Sequence, residues 1–173
     1  MKNELFELTR RRRAVRRYQS TKIDDDIIDE IIKVGLTAPT AFKKKTVKFI
    51  VVRDKATILK IGACKIYGGS QINGADTVIV VMVDNSSEFW IEDGAIASSY
   101  LWLAAEQFNI GACWVHIRNR NGKTKTSDEE IRALLNVSGD YTVLNVMALG
   151  EKAELKKSYT ENDLDYSKVE KIL

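Results

Sequence analysis

The chain has 173 residues, of which 45% are hydrophobic and 29% charged, with a single proline. That length and balance predict one globular domain, residues 1–173, with a sizeable core, and they exclude a disordered or low-complexity protein. The net charge of +3 is local: arginines 10, 11, 12, 13, 16 and 17 supply it, and the other 21 of the 27 basic residues face 24 acidic ones, which argues for one specific anion over a broadly nucleic-acid-binding surface.

Helical spacing predicts a short helix over residues 4–13 with Leu5, Phe6 and Leu8 inward, and a second over 25–36 with Ile27, Ile28, Ile31, Ile32 and Leu36 on one face. Asp24 is the expected N-cap of the second, Ile23 can staple to Ile28, and Gly35 and Pro39 are its expected stop. Residues 48–52 read as a strand and 55–65 as a short helix. The unbroken β-branched run at 77–83 predicts a central strand buried on both faces. Residues 87–108 predict a long helix apolar almost all round, its polar groups confined to a stripe of Glu88, Glu92, Ser99 and Glu106. A strand at 112–117 follows, then a helix at 128–135 capped by Ser127 with Glu130 completing a capping box, and a last strand at 142–149. The polar tail from about 151 is expected to dock on the body or on a partner subunit through Leu164, Tyr166, Val169 and Leu173. Strands and helices mix without a strict βαβ rhythm, which predicts an α+β fold with helices on both faces of a sheet.

Several chemistries lack their residues. One histidine, His116, and two distant cysteines, Cys64 and Cys113, leave a zinc site without ligands. No phosphate-binding P-loop, dinucleotide glycine fingerprint or hydrolase serine elbow is present. The polar first residues do not suit a signal peptide, the 87–108 segment is too interrupted to span a membrane, and the cysteines suit free thiols in a reducing, cytoplasmic setting.

The cluster Arg12-Arg13-Ala14-Val15-Arg16-Arg17-Tyr18 lies where a helix gives way to an extended segment. Guanidinium groups bind phosphate through paired hydrogen bonds and stay charged at physiological pH. One or two such residues need only the favourable meeting of a cation with a helix C-terminus, about 0.3–1 kcal/mol; six in eight positions call for an anion. A nucleic-acid patch is the competing reading, weakened by the absence of interleaved aromatics.

In register with four other segments this motif resembles the FMN-dependent nitroreductase family. Those segments are Ala38-Pro39-Thr40-Ala41 followed by Lys43-Lys44-Lys45-Thr46-Val47, the helical stretch Ile91-Glu92-Asp93-Gly94-Ala95, the strand entry Ile110-Gly111-Ala112-Cys113-Trp114, and Val146-Met147-Ala148-Leu149-Gly150. The resemblance implies a three-layer α/β/α fold on a mainly antiparallel sheet, and a homodimer with FMN at the interface. It implies a flavin that passes electrons from NAD(P)H to a nitroaromatic, a quinone or a similar acceptor. By the same resemblance Arg12, Arg13 and Arg16 hold the flavin phosphate and polar edge, with Ala14 beside them, and Lys156 or Lys157 approaches the phosphate. Pro39, Thr40 and Ala41 come from the other subunit, and backbone around Trp114, Val115, His116 and Ile117 runs along the ring's reactive edge.

Two departures stand out. Ala14 replaces the motif serine, and lysines 43–45 replace the family's amide-bearing Asn-x-Gln segment. Three readings of the lysines stay open: a solvated basic loop, a cation from Lys43 or Lys45 beside the flavin's N1 and C2 carbonyl, or a contact to an acidic substrate or the phosphates of NADPH. His116 is either structural or a proton donor beside the flavin. The tryptophans read as core or interface residues, and Cys113 as a buried thiol. The alternative function is a flavin-binding protein with little reductase activity.

Overall fold

In the computed structural model, which describes residues 3–137 and 139–172, β1 (Val47–Val52) pairs with β2 (Thr77–Asp84), the run predicted to be central. Two further strands, β3 (Ile110–His116) and β4 (Tyr141–Glu151), complete an antiparallel sheet of order β1-β2-β4-β3. Seven of the eight β2 residues are buried, because a strand covered on both faces has no solvent side to make polar.

Helices α1 (Glu4–Arg11), α2 (Asp25–Leu36), α3 (Lys55–Ala63), α4 (Ser70–Asn73), α5 (Trp90–Gln107) and α6 (Ser127–Leu134) supply the two outer layers. Val78, Val80 and Met82 face Ile58, Ile61, Ile72 and Ile131 from α3, α4 and α6. The alternate residues Ile79 and Val81 face Ile28, Ile31, Leu101 and Ala105 from α2 and α5. Strand alternation thus feeds two cores, one on each side of the sheet. The α+β, three-layer expectation holds.

Local expectations differ in instructive ways. α1 stops at Arg11 and buries nothing, and Leu5 is 64% exposed, so the arginine segment begins two residues earlier than the pattern suggests. Gly35 lies inside α2 and does not end it; its missing side chain serves close packing, since a Cβ there would sit 2.5 Å from Leu101 Cδ2. Leu36 points away from the core, and Asp24 makes no side-chain cap. α5 is buried along one side only, with Ile96 in solvent, and Glu106 leaves the expected polar stripe to lie buried against Lys152. The capping box of α6 is Thr126 with Glu129, one residue before the predicted pair. In the tail Leu164 is half-buried, whereas Tyr166 and Val169 are exposed; Leu173 lies outside the described residues.

Candidate functional site

Past α1 the chain runs along the outer edge of β3. Ala14 bridges Ala112 in parallel, the Val15 N–H donates to the Ala112 carbonyl at 3.0 Å, and Tyr18 bridges Lys152. Gly111 permits this approach, since a Cβ there would come within 2.8 Å of Val15 Cγ1. The segment's side chains then line a cleft of about 350 Å3 formed by Arg12, Arg13, Ala14 and Arg16 with Trp102, Lys156 and Tyr159.

The guanidinium of Arg12 lies 4.2 Å over the Trp102 ring and that of Arg13 lies 4.5 Å over Tyr159. Each ring holds its guanidinium by a cation–π contact and leaves N–H groups for an anion. Arg13 also donates to the Lys157 carbonyl; the Lys157 side chain is exposed and does not line the cleft. The adjoining carboxylate, Glu154, is engaged: it accepts from the Arg16 N–H at 2.7 Å and pairs with Lys156 at 2.8 Å. The Lys156 ammonium and that backbone N–H hold its carboxyl below the ordinary carboxylate value. Among the described residues Arg12, Arg13 and Arg16 form no ion pair. Trp102 lines the cleft, and its indole N–H is buried without a hydrogen-bond partner among the described residues.

Farther along, the outer edge of β3 is open. Strand hydrogen bonding alternates sides every residue, so Trp114 and His116 share the outward direction of Ala112, and their outward amides have no backbone partner among the described residues. Their rings stack at 6.5 Å with 13° between planes. On the opposite face, Cys113 Sγ donates to Gln71 Oε1 at 3.3 Å, and Arg16 reaches the same thiol. Burial pushes the Cys113 thiol up, so it is a thiol and not a thiolate nucleophile. Burial also lowers the His116 imidazole, followed by the nearby cations Arg120, Arg118 and Lys65, so it is neutral at physiological pH.

The segment with Pro39, Thr40, Ala41, Lys43 and Lys45 lies elsewhere. Phe42, Lys43 and Lys45 all take left-handed backbone angles (φ 54, 57 and 50°), which side chains seldom adopt. Buried Asp93, in the first turn of α5, holds the loop by accepting from the Ala41 N–H at 2.8 Å and Thr46 Oγ1 at 2.7 Å. Thr40 and Lys45 line a separate groove of about 270 Å3 with Leu36, Ala38, Val47 and Phe49. β1 and β3 are opposite edges of the sheet, about 14 Å apart at the usual strand spacing. Within one chain, then, the arginines and the lysine loop do not meet in a common groove.

The nitroreductase family model matches residues 9–90. A protein of Methanothermobacter thermautotrophicus, provisionally named NADH dehydrogenase/NAD(P)H nitroreductase, is 31% identical over 157 residues, covering 88% of this chain and 80% of its own length. The chain belongs to the nitroreductase family. An FMN-dependent nitroreductase from Clostridium difficile R20291 superposes with a TM-score of 0.92 at 34% identity, over 95% of this chain and 97% of that one. A Bacteroides fragilis nitroreductase solved with bound FMN shares the fold at a TM-score of 0.80 and 22% identity, over 99% and 100% of the two chains.

Several residues near the arginines carry no signal of that placement in the sequence. Gln71 sits on a four-residue helix that leaves no periodic trace. Tyr159 and Glu154 belong to a polar tail whose pattern gives no sign that it folds back on the first residues of the chain. Trp102 carries a visible signal, an aromatic on the long helix, but nothing in its spacing marks it as the platform for Arg12.

Proposed function

We propose that this nitroreductase is an FMN-dependent oxidoreductase that takes electrons from NAD(P)H and passes them to a small acceptor such as a nitroaromatic or a quinone. The observation that carries this reading is the arginine cleft. Three guanidinium groups that form no ion pair among the described residues, with the Glu154-held Lys156 ammonium at the rim, make a donor set that fits a phosphate dianion. The names of the relatives, with NAD(P)H in one and FMN in another, support the donor and the cofactor.

FMN, when bound, supplies the two-electron chemistry, and the protein contributes binding, orientation and charge. Arg12, Arg13, Ala14 and Arg16 with Lys156 hold the phosphate end and its polar neighbourhood, and Lys157 acts through its carbonyl on Arg13. The Gln71 carboxamide and the free amides of Trp114 and His116, flanking Val115, offer hydrogen bonds to the polar edges of a ring laid along β3. Neutral His116 can donate or accept a hydrogen bond there without adding charge.

The active unit in this reading is a homodimer in a reducing, cytoplasmic setting, the latter supported by two buried, unpaired cysteines. Among the described residues no helix is long and apolar enough to cross a membrane. Leu36 and Phe42 are 67% and 77% exposed beside the Thr40–Lys45 groove, and Ile96 is exposed on α5. A second copy covering this face would hide the apolar patch and carry Pro39, Thr40, Ala41, Lys43 and Lys45 to its neighbour's cleft. The C-terminal tail, with Tyr166 and Val169 exposed, is a further element for the partner to cover.

The purified protein is expected to be yellow, to release FMN on denaturation and to sediment as a dimer. Arg12→Ala with Arg16→Ala should abolish flavin retention with the circular dichroism unchanged. Bleaching by NADH or NADPH separates the reductase from a flavin-binding protein with little activity. Colourless protein that FMN cannot reconstitute overturns both.

A further inference from the structure

We infer that Lys65 and Arg120, which line one groove, form a second anion site at the far end of β3 from the arginine cleft, and that it receives the carboxylate or phosphate substituent of an aromatic co-substrate. This rests on the oxidoreductase reading for its physiological meaning, though not for its geometry. The two sites share no lining residue. Both nevertheless flank β3: Ala14 bridges Ala112 near its start, and Arg120 lies in the turn that follows its last residue, His116. An aromatic molecule lying along β3 could therefore place a charged substituent at this second end.

The site is held by a tight turn. The N–H groups of Ile117 and Arg118 both donate to the Leu144 carbonyl at 3.1 Å, the Arg120 N–H donates to the Ile117 carbonyl at 3.0 Å, and Asn119 takes φ 55°. The Ile66 N–H donates to the Asn121 carbonyl at 3.2 Å and stitches the α3–α4 connection to that turn. Lys65 and Arg120 thereby line one groove of about 180 Å3 with Ile66, Tyr67, Asn119 and Asn121.

Its charge is uncompensated. Among the described residues Lys65, Arg118 and Arg120 form no ion pair, and Arg118 Nε is buried without a hydrogen-bond partner. Burial and then Arg120 lower the Lys65 ammonium; burial and then Arg120, Arg118 and Lys65 lower His116. No carboxylate is among the charges acting on either group. Glu130, on the helix that follows, is occupied by the N–H groups of Thr124 and Lys125 at 2.7 and 3.2 Å. A fold that holds like charges together without a counter-ion repels itself, and an anion of the right size relieves that repulsion. Tyr67 and Ile66, 85% and 51% exposed on the rim, add an apolar wall suited to a ring. A mononucleotide phosphate and a benzoate share this chemistry, so the source is either the nucleotide donor or an acidic acceptor.

The single histidine makes the test direct, because one imidazole resonance reports on the groove. The FMN-loaded protein is titrated with adenosine 2′,5′-bisphosphate, with 4-nitrobenzoate and with neutral 4-nitrobenzyl alcohol while the His116 resonance is followed by NMR. At least one anion should shift the resonance saturably and raise the imidazole's titration midpoint, and the neutral alcohol should not. Lys65→Gln with Arg120→Gln should weaken that binding at least tenfold while the flavin absorbance and melting temperature stay put. A response to the bisphosphate, with a fall in the variant's NADPH-over-NADH preference, assigns the nucleotide; a response to nitrobenzoate alone assigns the acceptor. No response to either anion, or equal binding in the double variant, overturns the site. If the protein proves colourless, the same titration on the flavin-free chain still decides the anion site, so failure of the flavin reading is distinguishable from failure of this one.

Discussion

The Lys152 ammonium sits 3.0 and 2.9 Å from the two carboxylate oxygens of Glu106, with their side chains 15% and 8% exposed. The pair ties the last turn of α5 to the end of β4, directly behind the arginine segment that Tyr18 bridges to Lys152. Removing one partner strands the other charge in a poorly solvated place. Glu106→Ala should cost about 3 kcal/mol, the low end for a broken buried pair because Lys152 keeps some water. Glu106→Leu combined with Lys152→Met should recover most of that loss. Urea midpoints of the two variants check the difference, and equal losses would refute it.

Gly94 should reject even a methyl group. A Cβ there meets Val83 Cγ2 and Leu144 Cδ2, both at 2.6 Å, on side chains that are 0% and 2% exposed. Alanine gains about 1 kcal/mol of helix propensity over glycine, but overpacking a tight core costs about 1–3 kcal/mol. The clash wins, and Gly94→Ala should lose about 1 kcal/mol net. A gain in melting temperature would show that the α5–sheet contact yields easily.

Asp93 should govern the lysine loop more than the core. Its two charge-assisted bonds to Ala41 and Thr46 contribute about 3 kcal/mol together, the low end for two hydrogen bonds to a charged group. Asp93→Ala should lose that amount and speed hydrogen exchange at the Ala41 amide far more than at β2. Uniform acceleration across the sheet would mean that the loop is not separately held.

His116 gives stability a defined pH dependence. Its folded-state pKa lies below the ordinary 6.5, through burial first and the surrounding cations second. As pH falls through 6.5 the unfolded chain takes up its proton before the folded one, so the His116 contribution to stability falls with acidification and is constant at higher pH. Relative to wild type, His116→Asn should flatten the stability profile between pH 7 and 5, and Lys65→Gln should raise the imidazole midpoint. A midpoint at or above 6.5 in the wild-type protein contradicts the cationic surroundings.

The layers of this fold were legible because its strongest pattern, the β2 run, has no solvent face and its neighbours have strand or helix periods of ordinary length. The sequence does not fix the α6 cap, because Thr126 and Ser127 are both hydroxyls with an acid three positions on, and Glu130 is diverted to the 124–125 amides. Glu106 looked like a surface charge because its partner is 46 residues away. The arginines announced an anion by charge alone, whereas Gln71, Trp102 and Tyr159 reached their places through tertiary contacts that leave no local period.

Four bonds tie the arginine segment to residues 151–159 around the cleft: Gln19 N–H to the Glu151 carbonyl, Ala153 N–H to Arg17, Tyr159 N–H to Arg10 and Arg16 N–H to Glu154. During synthesis Arg12 and Arg16 leave the ribosome long before the residues that complete their pocket, and until then β3 has neither its neighbour β4 nor its cover. A cofactor held there selects chains whose residues 151–159 have folded back, over every earlier nascent intermediate. Its capture would mark the end of folding and would not guide the beginning.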